Sequence, residues 1–237
     1  MNDFGKLEQQ LAATLRLRRR PVAITFHDRV PEGVAKFEGC VPSGCTFWKL
    51  AAEGRTFYTI PADHYNCPIG SFTHNMPLPA GREAELGQTL SLMEQIGYVR
   101  MEEVPNIPRL DISPAAVVYR PLADARENPD VVVISGRPGA MMLLQEAAIR
   151  ARIAAQLNTL GRPTCMGIPA AKALGMVAST ACIGNRVYNA LDDADMYVMV
   201  PGSSLMTLVA ELATVHAANE TLRQYHTDRR EKLLHIE

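Results

Sequence analysis

The sequence predicts a mixed α/β (or α+β) protein built from two internally related halves that pack about a pseudo-two-fold axis. Helix-like and strand-like segments alternate along the chain, as is typical of α/β and α+β domains. A series of cysteine, alanine and glycine positions also occurs twice in the same order. With 237 residues, 47% of them hydrophobic, the chain is long enough to bury a sizeable core.

The first half begins with a helix and a buried strand. Phe4, Leu7, Leu11 and Leu15 follow helical spacing, so a helix is expected over 3–17. We then expect a buried strand at 21–26 and a helix at 46–53 that ends at Gly54. A second strand is expected at 56–60 and a second helix at 82–97. The segment 61–82 holds four prolines and little periodicity. Irregular loops of this length inside a compact domain are usually functional.

The second half alternates strands and helices again. Strands are expected at 115–119, 131–135 and 195–200, and helices at 139–159, at 169–174 and from 203 onward. The last helix becomes polar after His216, which is typical of a solvated helix end. The predicted units are an N-terminal helix at 1–20, two α/β halves at 21–110 and 111–215 that form one compact domain, and a polar C-terminal helix at 216–237.

The repeated series places two cysteines in each half. The two series are Cys45, Ala51-Ala52, Gly54, Cys67, Gly70 and Cys165, Ala170-Ala171, Gly175, Cys182, Gly184. An internal duplication explains this order, and a chance match of residues common at packed helix starts is the alternative. Two copies related by a two-fold axis often bring equivalent segments together. We therefore expect Cys45, Cys67, Cys165 and Cys182 to converge on one site.

The compartment decides how the five cysteines are interpreted. The N-terminus has no signal-peptide pattern and no apolar run approaches the ~18–20 residues that span a bilayer. A cytoplasmic location is therefore expected, where thiols stay reduced. The cysteines are accordingly interpreted as metal ligands, redox groups or buried thiols. Cys40 has no counterpart in the other half and is interpreted as a buried small residue or a spare thiol.

Thiolates at wide spacing favour an enzyme-type cluster over a small zinc module, because the tight C-x2-C spacing of zinc ribbons is absent. A 4Fe-4S cluster with three cysteine ligands would leave one iron open as a Lewis acid. Gly44, Gly70 and Gly184 lie within three residues of a cysteine, so their backbone could approach the cofactor, or they could simply serve turns. Haem is the competing cofactor, with Cys67, His64 or His74 as axial ligand.

Three further residues are candidates for substrate chemistry. Arg186 could bind an anionic substrate group through two parallel hydrogen bonds. Its alternative is a structural salt bridge with Asp192, Asp193 or Asp195. Asp63 and His64 could act as an acid/base pair beside Cys67.

The net charge and the absence of common catalytic motifs reduce the number of binding partners and enzyme classes to consider. A net charge of -1 predicts neither nucleic acid nor a membrane as a partner. The one basic run, Arg16 and Arg18 to Arg20, is interpreted as the last turn of the first helix, with anion binding as the alternative. P-loop, dinucleotide, zinc-protease and serine-hydrolase motifs are absent. The 11 methionines and the apolar start of the final helix would suit a homodimer interface or the core.

Several of these residues together resemble a prokaryotic family without an assigned function, domain-of-unknown-function family one hundred sixty-nine, also labelled ArCR. The resemblance covers residues from about 10 to 215 and rests on Gly44-Cys45, Ala51-Ala52-Glu53-Gly54, Phe57-Tyr58, His64, Cys67, Gly70 and Cys182-x-Gly184-x-Arg186. It implies that Cys45, Cys67 and Cys182 are the family-like positions; our hypothesis makes these three the cluster ligands, with Cys165 as a fourth ligand or a close neighbour. Three such cysteines suit a cluster with one open iron.

The leading hypothesis is an iron–sulfur protein that acts as an oxidoreductase or a lyase on a small anionic or oxygenated substrate. The alternatives are a haem-binding protein and a non-catalytic small-molecule-binding or structural module.

Overall fold

The computed structural model describes residues 3–78, 80–153, 155–156, 163–180 and 182–234. The helices are α1 (Phe4–Leu15), α2 (Thr46–Ala52), α3 (Pro68–Thr73), α4 (Glu83–Gln95), α5 (Pro138–Arg150), α6 (Gly167–Leu174), α7 (Ile183–Asn189) and α8 (Leu205–Leu234). The strands are β1 (Val22–His27), β2 (Phe57–Thr59), β3 (Ala116–Pro121), β4 (Val131–Gly136), β5 (Ala155–Gln156), β6 (Val177–Thr180) and β7 (Met196–Pro201). Short 3-10 helices lie at Pro61–His64, Met101–Asn106, Leu122–Asp124, Thr164–Met166 and Gly202–Ser204.

All seven strands form one sheet in the order β2-β3-β1-β4-β7-β6-β5. Neighbouring strands run antiparallel except β5 and β6, which are parallel. Helices cover the sheet, so the predicted α/β class is confirmed.

The strand order is symmetric about the central pair of β1 and β4. Moving outward, β1 is followed by β3 and β2, and β4 is followed by β7 and β6. At the centre, β1 and β4 pair antiparallel through Val22↔Val133, Ala23↔Val132 and Ile24↔Val131. The duplication and its pseudo-two-fold axis stay predictions, which the strand order favours. The order groups β3 with the first half, whereas the boundary predicted at 110 assigns it to the second.

The two faces of the sheet bury separate hydrophobic clusters, because successive strand residues point to opposite sides. Val132 and Ile134 face the layer of α1, α5 and α8, which we call the α5 face. Val131 and Val133 face the layer of α2 and α6, which we call the α6 face. Each fully buried aliphatic side chain contributes about 1.5–3 kcal/mol, so both faces hold the helices firmly against the sheet.

The predicted helix at 3–17 is confirmed as α1, and its four apolar residues are all buried. Asp3 caps its start by accepting a hydrogen bond from the Lys6 amide at 2.9 Å. At the other end, Arg16 adopts a left-handed conformation with φ of 50°. The helix therefore ends at the start of the basic run, which does not form its last turn as expected.

Other elements differ from the prediction. Helix α5 ends at Arg150, and the left-handed Arg152 (φ 57°) stops any continuation toward 159; residues 157–159 lie outside the described residues. The predicted loop at 61–82 contains α3, whose first residue is Pro68. Helix α8 is continuous from Leu205, so the predicted C-terminal unit at 216 begins inside it. In the described part of the chain, no helix combines the length and apolarity needed to cross a membrane.

Candidate metal centre

Four of the five cysteines stand directly before helices on the α6 face. Cys45, Cys67 and Cys182 occupy the capping positions of α2, α3 and α7. Cys165 lies in the 3-10 helix that leads into α6. In each half the chain therefore runs cysteine, helix, strand, cysteine, helix. The repeated cysteine series of the sequence therefore corresponds to the same order of helices and strands in each half.

The four thiols interact electrostatically in every pairwise combination. Burial, together with charges on Cys67 and Cys182, raises the pKa of Cys45 to about 12. Burial also raises the pKa of Cys165 well above its ordinary value, with added contributions from the other three thiols. The pKa of Cys67 is raised by burial and by Cys182. The structure thus brings the four predicted ligands together.

Polar side chains connect the thiols across the two halves. The Thr73 hydroxyl, which donates to the carbonyl of Gly70 at 3.0 Å, lies beside Cys165 and lowers the pKa of that thiol. In the reciprocal position, the amide of Asn189 at the end of α7 lowers the pKa of Cys45. Each half therefore supplies a polar group to a cysteine of the other half.

Two of the three predicted glycines contact a cysteine sulfur. The backbone N–H groups of Gly44 and Gly70 hydrogen bond to Cys67 and lower the pKa of its thiol. A methyl group at position 70 would lie 2.6 Å from the Sγ atom of Cys67, and one at position 44 would lie 3.6 Å from it. At Gly184 the same methyl group would meet Cys182 Sγ at an ordinary 3.9 Å. A side chain at position 70 would therefore require Cys67 or the first turn of α3 to move.

Buried polar atoms without hydrogen-bond partners surround the thiols. Within the described residues these include the Nδ1 atom of His64, the hydroxyl of Ser71 and both amide atoms of Asn185. All three residues are at most 1% exposed. Ser71 and Asn185 lie one turn after Cys67 and Cys182. Buried polar groups are normally satisfied in native proteins, so this set fits a site that receives a further group.

His64 is the predicted acid/base candidate that lies closest to the thiols. Its Nε2 atom lies 3.0 Å from the hydroxyl of Thr59. Its Nδ1 atom would lie 3.3 Å from a methyl group at Gly44, beside Cys67. Burial lowers the pKa of His64 to about 4, so the imidazole is neutral at pH 7.

Asp63 and Arg186 are engaged in structural contacts. Asp63 forms a 2.9 Å salt bridge with Lys36 and accepts a 2.8 Å hydrogen bond from the amide of Ile60. Arg186 donates to the carbonyls of Asp192 (2.6 Å) and Asp195 (3.1 Å), and pairs with Asp193 at 3.5 Å. The proposed pairing of Asp63 with His64 and substrate binding by Arg186 both stay predictions.

Sequence reasoning did not single out two polar residues near the site. Tyr119 is fully buried on β3, and charges on Cys67 and Cys45 help to raise its pKa, although burial is the main cause. Thr59 lies between Tyr119 and His64, because its hydroxyl lowers the pKa of Tyr119 and also contacts His64 Nε2. Both residues sit inside apolar strand segments, so only the strand pairing reveals them.

Cys40 stands apart from the four thiols. It is exposed rather than buried, and its sulfur accepts a 3.0 Å hydrogen bond from Asn66. Among the described residues, no group of three or more His, Cys, Asp or Glu side chains is arranged to hold one metal ion.

The family of the chain follows from one comparison. A model described as DUF169, Uncharacterised ArCR, matches residues 10–211. The chain belongs to this family. The match spans all four clustered cysteines, and the DUF169 description names no activity. No curated protein and no solved structure matches the chain. The function of this DUF169 member must therefore be argued from its site.

Proposed function

We propose that this DUF169 protein binds an iron–sulfur cluster through its four clustered thiols and acts on a small anionic or oxygenated substrate. One observation carries the proposal: four mutually interacting thiols are surrounded by buried polar atoms that lack partners. Burial disfavours free thiolates at such a site, and binding to iron would remove that penalty.

Cys45, Cys67 and Cys182 are the proposed ligands, with Cys165 as the fourth ligand or a close neighbour. A single zinc ion needs its ligands about 2.0–2.3 Å from one point, and the described residues hold no such group. A four-iron cluster is larger than one ion, so its ligands stand further apart. When bound, the cluster would supply electron transfer or an open Lewis-acidic iron.

The chain's own residues would tune and complete the site. The amides of Gly44 and Gly70 already donate to Cys67, and such N–H···S bonds stabilise negative charge on sulfur. His64 is the group best placed to accept a proton, because its imidazole is neutral and its Nδ1 atom is unpartnered in the described structure. Asp63 is less suited to that task, since Lys36 holds its carboxylate.

The test is the absorption spectrum, iron content and sulfide content of protein purified without oxygen. We expect a broad shoulder near ~400 nm that dithionite bleaches, as charge-transfer bands of cysteine-ligated clusters do. Cys67→Ser should abolish both the colour and the iron. Cys40→Ser is the matched control, because Cys40 is exposed and outside the cluster, and it should keep the full iron content.

Other outcomes decide among the alternatives. A sharp Soret band would identify haem, instead of an iron–sulfur cluster, as the bound cofactor. A protein that is colourless as purified would contradict haem, and one that still lacks colour and iron after anaerobic reconstitution with iron and sulfide would contradict the cluster and favour a structural role for the thiols. Colour retained in Cys67→Ser would remove Cys67 from the site.

A further inference from the structure

A cavity lies at the end of β4, on the α5 face of the sheet, whereas the thiols lie on the α6 face. Its volume is about 740 Å³, within the ~300–1,000 Å³ range typical of small-molecule sites. The last turn of α1, the first turn of α5 and the middle of α8 form its walls. The basic run noted in the sequence lies here.

The cavity carries an excess of positive charge. Five arginines and two carboxylates line it, which leaves three more positive than negative groups, although the whole chain has a net charge of -1. The two carboxylates are already paired, Asp195 with Arg18 at 2.9 Å and Glu220 with Arg223 at 3.4 Å. The excess charge therefore belongs to the remaining arginines.

Arg16, Arg19 and Arg137 have no carboxylate partner within the described residues. The Nη1 atom of Arg19 is buried without a hydrogen-bond partner in that part of the chain, although its guanidinium group also hydrogen bonds to Tyr197. The Nδ1 atom of His216 is likewise buried and unpartnered there. Three cations without carboxylate partners around one cavity repel each other. An anion between them would remove the repulsion and satisfy the buried donors.

The remaining residues of the cavity wall indicate which chemical group carries the anion. Leu15, Ala140, Met142 and Leu143 give the cavity an apolar side, and Met142 is 47% exposed. A methyl group at Gly139, in the first turn of α5, would meet nothing within 4 Å, so the wall of the cavity is open at this position. Helix starts favour anions, and guanidinium groups match the geometry of phosphate oxygens.

We propose that this cavity binds a small organic phosphate, with the phosphate held by Arg16, Arg19 and Arg137 and the organic part against the apolar wall. The site is separate from the thiols, so the proposal does not depend on the proposed iron–sulfur function. The ligand class is a phosphate monoester with an apolar substituent.

Isothermal titration of the full-length protein with phenyl phosphate, inorganic phosphate and phenol tests this site. We expect phenyl phosphate to bind more tightly than inorganic phosphate, and phenol not to bind.

Arg137→Gln and Arg16→Gln should each weaken phenyl phosphate binding about tenfold or more, as loss of charge-assisted hydrogen bonds does. Both residues are exposed, so folding should be retained, and a thermal melt checks this. Arg229→Gln removes the same charge outside the cavity and should bind as the wild type does. Equal binding by Arg137→Gln and the wild type, equal binding of phenol and phenyl phosphate, or no binding of phenyl phosphate would each overturn the proposal.

Discussion

The hydroxyl of Thr164 donates to the Sγ atom of Cys182 at 3.1 Å and accepts the backbone N–H of Cys182 at 3.0 Å. Thr164 is 1% exposed and precedes Cys165 in the chain. One side chain therefore fixes two thiol-bearing segments relative to each other. Its two hydrogen bonds couple the start of α7 to the approach to α6.

Thr164→Val should loosen this link at nearly constant volume. The substitution removes both hydrogen bonds and leaves the Cys182 amide buried without its acceptor, which costs about 1–3 kcal/mol. We expect denaturant unfolding to report that loss, together with lower iron content after anaerobic reconstitution. Thr164→Ser keeps a hydroxyl and should restore both values. Thr221→Val alters an exposed threonine on α8, so an equal loss in that control would refute the link.

Gly70→Ala should displace Cys67. The added methyl group would lie 2.6 Å from Cys67 Sγ, so either the thiol or the first turn of α3 must move. We expect the iron content to fall at least as far as in Cys67→Ser. Gly87→Ala is the matched control on α4, because a methyl group there meets nothing within 4 Å, and helix propensity makes it neutral or stabilising. Unchanged iron in Gly70→Ala would show that Cys67 is not held in this position.

The sequence predicted the sheet and the thiol cluster from different signals. Apolar β runs such as 131–135 are long enough to predict β4 directly. Convergence of the thiols followed instead from the repeated cysteine series, because equivalent segments meet at a shared interface. The strand order on either side of β1 and β4 is compatible with this argument.

What the sequence could not predict are the short elements and the contacts across the chain. Helices α3 and α7 have only six and seven residues, too few to display helical periodicity. Thr59 and Tyr119 meet because β2 pairs with β3, and no local pattern records that pairing. The buried state of His64 has the same origin, since Phe47, Thr59 and Tyr119 enclose that region from separate elements.

Three of the clustered thiols, Cys45, Cys67 and Cys165, should be slow to alkylate in metal-free protein. Burial raises the pKa of Cys45 to about 12, and it also raises the pKa values of Cys67 and Cys165, so few thiolates exist at pH 8. Mass spectrometry after brief treatment with iodoacetamide should find Cys40 modified first. Cys40→Ser should remove this fast event. Rapid modification of Cys45 in folded protein would contradict the buried environment.

The stability of the metal-free protein should fall as the pH drops below about 6.5, partly because of His74. This residue is 3% exposed, its ring lies against Phe26, and burial lowers its pKa to about 3. The unfolded chain, with an ordinary histidine pKa near 6.5, therefore binds more protons than the folded one between pH 6.5 and pH 3. Because of this proton uptake on unfolding, His74 lowers the free energy of unfolding by about 2 kcal/mol between pH 7 and pH 5.

His74→Gln should flatten this pH dependence, because glutamine does not titrate. Urea unfolding at pH 7 and pH 5 measures the difference between the two free energies of unfolding. His226→Gln is the control, since His226 is exposed on α8, and it should keep the wild-type difference. A His74→Gln protein that loses as much stability as the wild type would show that protonation of His74 does not drive the loss. The acid sensitivity would then have to come from another group, such as the equally buried His64, whose pKa is lowered to about 4.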